Sequence, residues 1–232
     1  MKEVELYHGS NQIIETPKLS LGKNNNDYGR GFYCTEQIDI AKEWACKNNQ
    51  NGFINKYKIN FNTLKILNLS DNHHNVLNWI AILLKNRTFR LNSNIAINSR
   101  EYLIENFAVD TKNFDIIIGY RADDSYFQYA ESFIENTLPL RALNQALYLG
   151  KLGLQTVLVS KKAFDKIKFV EAEPVDKSIY YPKFIYRDNK ARTTYKEEIA
   201  KSKLLQEDIF MVDILREGIK ANDPRIQRII SE

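Results

Sequence analysis

Tyr28-Gly29-Arg30-Gly31-Phe32-Tyr33-Cys34-Thr35 is the stretch from which the rest of the chain can be read. Two glycines around one arginine make a tight turn, because glycine enters left-handed backbone without a Cβ clash. From Gln37 to Cys46 the pattern then turns helical. Ile38, Ala41 and Ala45, with Trp44 one step aside, share a face at helical spacing, and Thr35 stands where an N-cap belongs.

Reading outward, Val4 to His8 is a strand, and Asn24-Asn25-Asn26-Asp27 is a polar loop. Phe53 to Ile59 and Leu64 to Leu69 alternate as strands do, with Asn60 to Thr63 as a hairpin turn. Val76 to Leu84 and Tyr102 to Phe107 read as helices, with a polar stretch between them. A strand from Phe114 to Ile118 stops at Gly119. Helices at Ser125 to Leu138 and Leu140 to Leu149 are parted by Pro139, and Gly150 and Gly153 precede a strand from Leu154 to Ser160. A last core strand is expected at Ile167 to Val170. Short strands interrupted by helices predict an α+β fold rather than a doubly wound sheet.

Residues 1–172 then form one domain, and 173–232 an appended, mostly helical extension with helices at Ile209 to Ile219 and Arg225 to Ile230. In that extension Lys183, Arg187, Lys190, Arg192 and Lys196 interleave with Tyr180, Tyr181, Phe184 and Tyr186. The mixture suits a nucleic-acid partner through charge and stacking, although such a face is more often solvated or packed on a protein partner.

The chain has 232 residues, 44% hydrophobic and 27% charged, the balance of a globular protein with a sizeable core. No apolar run approaches the ~20 residues that span a bilayer, and Met1 is followed by Lys2, Glu3 and Glu5 rather than a signal-peptide core. A cytoplasmic protein without a membrane partner is expected. Cys34 and Cys46 lack the number and spacing of a disulfide framework or zinc site and read as core thiols, so no metal is expected. A net charge of +4 favours anionic partners without marking a dedicated nucleic-acid binder. Walker-type, G-x-G-x-x-G, H-E-x-x-H, C-x-x-C and G-x-S-x-G patterns are absent.

Chemistry concentrates in three places. Leu6-Tyr7-His8-Gly9-Ser10 ends a strand in a histidine followed by a glycine that admits close backbone approach, although a lone histidine is often structural. Tyr33 and Trp44 can face each other across a slot for a flat heteroaromatic ligand, or simply pack in the core. Arg30 between its glycines can take phosphate oxygens bidentately or be a solvated turn residue. Asp123 and Asp124 follow a strand and read as first-turn residues of the helix near Ser125, or as a carboxylate supply for a site.

Taken together, LYHGS, GRGFYCT with Trp44, and Leu154-Gln155-Thr156-Val157-Leu158-Val159 resemble the ADP-ribosyltransferase superfamily. The likeness is to its diphtheria-toxin-like branch and to the bacterial family of domain-of-unknown-function 3990 type, from Val4 to about Ala172. It implies a split antiparallel β-sheet core with flanking helices, and NAD as substrate. His8 would bond the adenosine ribose, Gly9 would leave its backbone to the nicotinamide amide, and Tyr33 would stack on nicotinamide opposite Trp44. Ser10, Arg30, Gly31, Asp123 and Asp124 complete the implied NAD contacts.

The superfamily's third motif carries a glutamate where this chain has Gln155, giving a His8, Tyr33, Gln155 triad. Glycosidic cleavage passes through an oxocarbenium-like state that a carboxylate stabilises by charge and an amide does not. Gln155 can orient the ribose but cannot act as a general base. The resemblance implies a mono-ADP-ribosyltransferase acting on a protein or nucleic-acid acceptor, as a bacterial toxin held by an antitoxin or as a defence effector. An NAD glycohydrolase and a non-catalytic ADP-ribose or nucleotide-binding module are the alternatives.

Overall fold

A computed structural model describes residues 3–71, 73–122, 124–149, 153–201 and 205–226. In chain order the elements are β1 (Glu3–Ser10), β2 (Phe32–Cys34), α1 (Ile38–Ala45), β3 (Gly52–Asn60), β4 (Ile66–Asn68), α2 (Val76–Asn86) and α3 (Asn94–Phe107). Then come β5 (Ile116–Gly119), α4 (Asp124–Ile134), α5 (Leu140–Leu149), β6 (Gln155–Leu158), α6 (Lys161–Phe164), β7 (Lys168–Val175), α7 (Lys177–Lys201) and α8 (Met211–Glu217). The fold is α+β, as expected.

The chain forms two compact units, each discontinuous in sequence: Met1–Asn68 with Thr111–Arg121 and Leu152–Asp188, and Leu69–Asp110 with Ala122–Lys151 and Asn189–Glu232. The boundary expected at residues 172 and 173 falls inside β7, whose pairing with β3 runs on to Val175.

The first unit holds both sheets, ordered β1-β3-β7 and β2-β6-β5-β4. Every pairing is antiparallel except β4 with β5. A two-way backbone bridge between Tyr7 and Thr35, at 2.7 and 3.0 Å, links β1 to the end of β2. Val4 and Leu6 of β1 alternate inward and meet Phe32, Cys34, Tyr57 and Leu158 in one apolar cluster. On the other side of β1, α1 lies so close that a Cβ on Gly9 would stand 1.9 Å from the Ala41 carbonyl oxygen.

Three local expectations change. Phe53–Ile59 and Leu64–Leu69 do not form a hairpin: Thr63 turns with positive φ, and Lys65 exchanges backbone and side-chain bonds with Asp115 at 2.8 Å. Those bonds draw β4 beside β5 instead. Thr35 is not the N-cap of α1; Gln37 is, and the Thr35 hydroxyl accepts from the Gln37 amide while its backbone bridges Tyr7. The helix also buries Ile40 rather than Ile38, which is exposed. Cys34 and Cys46 are buried free thiols, as read from their spacing.

In the second unit, α2 is buried from Val76 to Leu84, because its apolar residues run round the whole helix. Asn75 and Asn78 close a reciprocal capping box at its start. The polar stretch expected before Tyr102 is helical from Asn94, where the Ser93 hydroxyl accepts from the Ala96 amide. The extension's first helix, α7, starts at Lys177 and belongs to the first unit as far as Asp188, and α8 matches the expectation over Met211–Glu217. Residues 227–230 of the other expected helix lie outside the described residues. Among the described residues no helix is long and apolar enough to cross a membrane.

Candidate functional site

His8 shares the inward parity of Leu6, and its ring lies 4.4 Å from that of Phe32. Its Nδ1 is 2.7 Å from the Tyr33 carbonyl oxygen. A carbonyl only accepts, so Nδ1 carries the proton and Nε2 of the neutral ring is an acceptor. Burial holds the imidazole below its ordinary pKa against the opposing pull of the Tyr33 carbonyl, and the positive charges of Arg121 and Lys47 push the same way as burial. The acceptor form therefore persists at neutral pH.

Gly9 and Ser10 turn out to have local work. The Cβ direction of Gly9 is filled by the backbone of α1, which gives a packing reason for the glycine independent of any ligand. The Ser10 hydroxyl accepts from the Gln12 amide at 3.3 Å.

The stretch from Asp27 to Tyr33 folds back on itself. Gly29 adopts φ 76°, a left-handed turn, and the Tyr33 hydroxyl spans it, donating to the Gly29 carbonyl at 2.7 Å and accepting from the Tyr28 amide at 3.0 Å. The phenol is thereby held within its own loop, leaving the ring as its stacking surface. The Tyr28 hydroxyl ties this loop to the Tyr120 carbonyl at 2.8 Å, beyond the end of β5. Gly31 is demanded by β6, since a Cβ there would stand 2.6 Å from Val157 Cγ1.

Gln155 opens β6, paired with Gly119 and one residue from the Cys34–Thr156 pair. It is 4% exposed, and its Nε2 donates to Asp27 Oδ2 at 2.9 Å and to the Tyr120 carbonyl at 3.0 Å. Two acceptors fix the amide's orientation and use both of its N–H groups, so a ligand meets only the carbonyl oxygen. Asp27 is itself 8% exposed. It is a carboxylate in direct contact with Gln155, whereas the sequence pointed to Asp123 or Asp124 as a carboxylate supply. Asp123 lies outside the described residues, and Asp124 is the first residue of α4, in the second unit.

Trp44 sits on α1 as expected. Lys47 Nζ stands 4.3 Å and Arg121 Cζ 5.9 Å from its ring centroid, and Phe184 of α7 meets it edge-on at 6.4 Å. The indole Nε1 is buried and has no hydrogen-bond partner among the described residues. Lys47 and Arg121 are thus the cations beside both Trp44 and His8, and neither was assigned a role from sequence. Arg30, read either as a phosphate contact or as a solvated turn residue, is exposed, bonds Asn24 Oδ1 through Nε at 2.8 Å and lines an open groove of about 530 Å³ with Lys18, Lys161 and Phe164. Arg187, one of the cations read as a nucleic-acid contact, is engaged with Glu43 at 2.6 Å.

Within the first unit, then, His8, Tyr33 and Gln155 stand on the neighbouring strands β1, β2 and β6, and two nitrogen- and oxygen-borne acceptors accompany two cations and an indole face. Acceptors suit sugar hydroxyls, cations suit an anion, and the ring suits a flat heterocycle. Neither the curated proteins nor the solved structures contain a match to the chain. A family described as a protein of unknown function matches residues 4–169, which span every site residue from His8 to Gln155. The chain belongs to that family, DUF3990.

Proposed function

We propose that the first unit binds NAD and transfers its ADP-ribose to a macromolecular acceptor, as a mono-ADP-ribosyltransferase of the ADP-ribosyltransferase superfamily. The observation that carries this reading is the arrangement of His8, Tyr33 and Gln155 on adjacent strands, with the His8 ring bonded to the Tyr33 carbonyl so that Nε2 is left to accept. His8 Nε2 takes a ribose hydroxyl, the Tyr33 ring and Trp44 offer faces to nicotinamide, and Arg121 with Lys47 balances the diphosphate. The Gln155 carbonyl accepts from the nicotinamide ribose.

In the reaction the bond between the anomeric carbon and the nicotinamide nitrogen breaks, and its electron pair leaves with neutral nicotinamide. The positive anomeric carbon bonds to the acceptor's nucleophilic atom, which releases its proton to solvent. Gln155 cannot take that proton, so the acceptor must be nucleophilic by itself or activated elsewhere. The setting that goes with this reading is a bacterial toxin or defence effector in the cytoplasm, restrained by an antitoxin protein.

One observation favours a second reading. Both Gln155 donors are committed internally and its remaining group is neutral, which costs transition-state stabilisation more than ground-state binding. A non-catalytic ADP-ribose-binding module would look the same. Incubation with labelled NAD and cell lysate separates these outcomes: label on a macromolecule supports transfer, free ADP-ribose indicates a glycohydrolase, and binding without consumption indicates a module. His8→Ala and Gln155→Ala should each lower turnover by about 100-fold. If both leave it unchanged, the enzyme reading is wrong.

A further inference from the structure

We infer that Asp27 is a positioning residue that supplies, through the amide of Gln155, the negative charge this site needs at the developing ribosyl cation. This inference rests on the NAD reading above. The observations are geometric: a nearly buried carboxylate lies 2.9 Å from the nitrogen of a nearly buried amide, and the same nitrogen is held by the Tyr120 carbonyl at 3.0 Å. Tyr120 is in turn held by Tyr28, the residue after Asp27. The pair is therefore built into the fold from both sides.

Three consequences follow from that contact. First, the amide is locked with its carbonyl oxygen as the one group left to accept, so ribose hydroxyls meet one oriented group rather than a freely rotating side chain. Second, a carboxylate accepting from an amide N–H polarises the whole amide and strengthens its carbonyl as an acceptor, since chained hydrogen bonds reinforce one another. Third, a glutamate at position 155 would be wrong for this chain. It would replace the N–H donor with an oxygen facing Asp27, and two carboxylates at such range cannot both ionise. Gln155 is thus the partner that Asp27 requires, and the charge sits one side chain further back. During cleavage the electron pair still leaves with nicotinamide; Asp27 neither bonds to the sugar nor moves a proton.

The test is a charge swap in the full chain, comparing wild type, Asp27→Asn, Gln155→Glu and the double variant for kcat and KM of NAD consumption, with thermal unfolding confirming folded protein. Asp27→Asn keeps a hydrogen-bonding side chain and loses the charge; kcat should fall about 10- to 100-fold with KM within about threefold. Gln155→Glu alone should be similarly impaired. The double variant, with a carboxylate at 155 and an amide at 27, should recover kcat to within about tenfold of wild type while all four proteins keep similar thermal midpoints; a merely structural pair would lose and regain stability and activity together. If Asp27→Asn does not fold, the double variant against Gln155→Glu decides. An unaffected Asp27→Asn, or a Gln155→Glu at least as active as wild type, overturns the inference alone. A wild-type protein that consumes no NAD overturns it together with the reading beneath it.

Discussion

The two units use buried polar groups for different ends. In the second unit such groups, among the described residues, form short separate contacts that cap helices or tie two elements together. Asn75 and Asn78 complete the box at the start of α2, the Asn78 amide donates to the Phe107 carbonyl at 2.8 Å, and Ser93 caps α3 while bonding Glu135. Arg141 grips Asp208 with two parallel bonds at 2.9 and 3.1 Å. In the first unit buried and half-buried polar residues run into one another: Asp27 to Gln155, Gln155 to the Tyr120 carbonyl, that carbonyl to Tyr28, Tyr28 to Tyr33, and the Tyr33 carbonyl to His8. Closed pairs stabilise elements; a continuous network fixes side chains relative to one another, which is what a ligand site needs and what a helix bundle does not.

The largest effect that tests this difference is at Gly9. Its Cβ direction points at the α1 backbone, which cannot rotate away as a side chain would. Gly9→Ala should therefore cost more than about 4 kcal/mol, or prevent folding outright, in chemical denaturation. A variant that folds with ordinary stability but loses NAD affinity would make Gly9 a ligand contact and shift the network's edge by one residue.

Next come two substitutions of similar cost and different meaning. Asn75→Ala removes a capping box and should lose about 1–2 kcal/mol of stability while leaving NAD turnover per folded molecule within about twofold. Tyr33→Phe removes the hydroxyl that spans the Gly29 turn and should lose a comparable 1–2 kcal/mol, but with kcat/KM down about tenfold, because the loop carrying Asp27 loosens. Equal catalytic effects from the two would erase the distinction between the units.

What the sequence made legible was local and periodic. The Gly29 turn, the helix carrying Trp44, and the apolar helix α2 all announce themselves within a few residues. What it hid was set by distant pairing. Asp27 ends a run of three asparagines and reads as a solvated loop; only the left-handed Gly29 and the Tyr33 hydroxyl turn it toward a residue 128 positions away. Asp115 likewise looks like an ordinary residue before a strand, yet its bonds to Lys65 decide which sheet β4 joins. Lys47 and Arg121 carry no motif at all, and only their closeness to Trp44 and His8 picks them out. Conversely, Arg30 has the residue type and flanking glycines of a phosphate contact but bonds Asn24 beside the groove shared with Lys18 and Lys161.

The smallest effect is the pH response of His8. Burial, helped by Arg121 and Lys47, outweighs the Tyr33 carbonyl and lowers the folded pKa below its ordinary 6.5. On acidification the unfolded chain takes up this proton first, so folded stability is unaffected above about pH 7.5 and declines as pH falls through about 6.5. The slope is at most about 1.4 kcal/mol per pH unit for one proton, and it ends at the depressed folded pKa. In His8→Asn that contribution disappears, so the wild-type thermal midpoint should fall more steeply than the variant's between about pH 7 and 5.5. His73 and His74 are present in both proteins and drop out of the difference. Parallel profiles would mean that His8 is not held neutral in the folded protein, and the acceptor role of Nε2, from which the site's reading begins, would have to be given up.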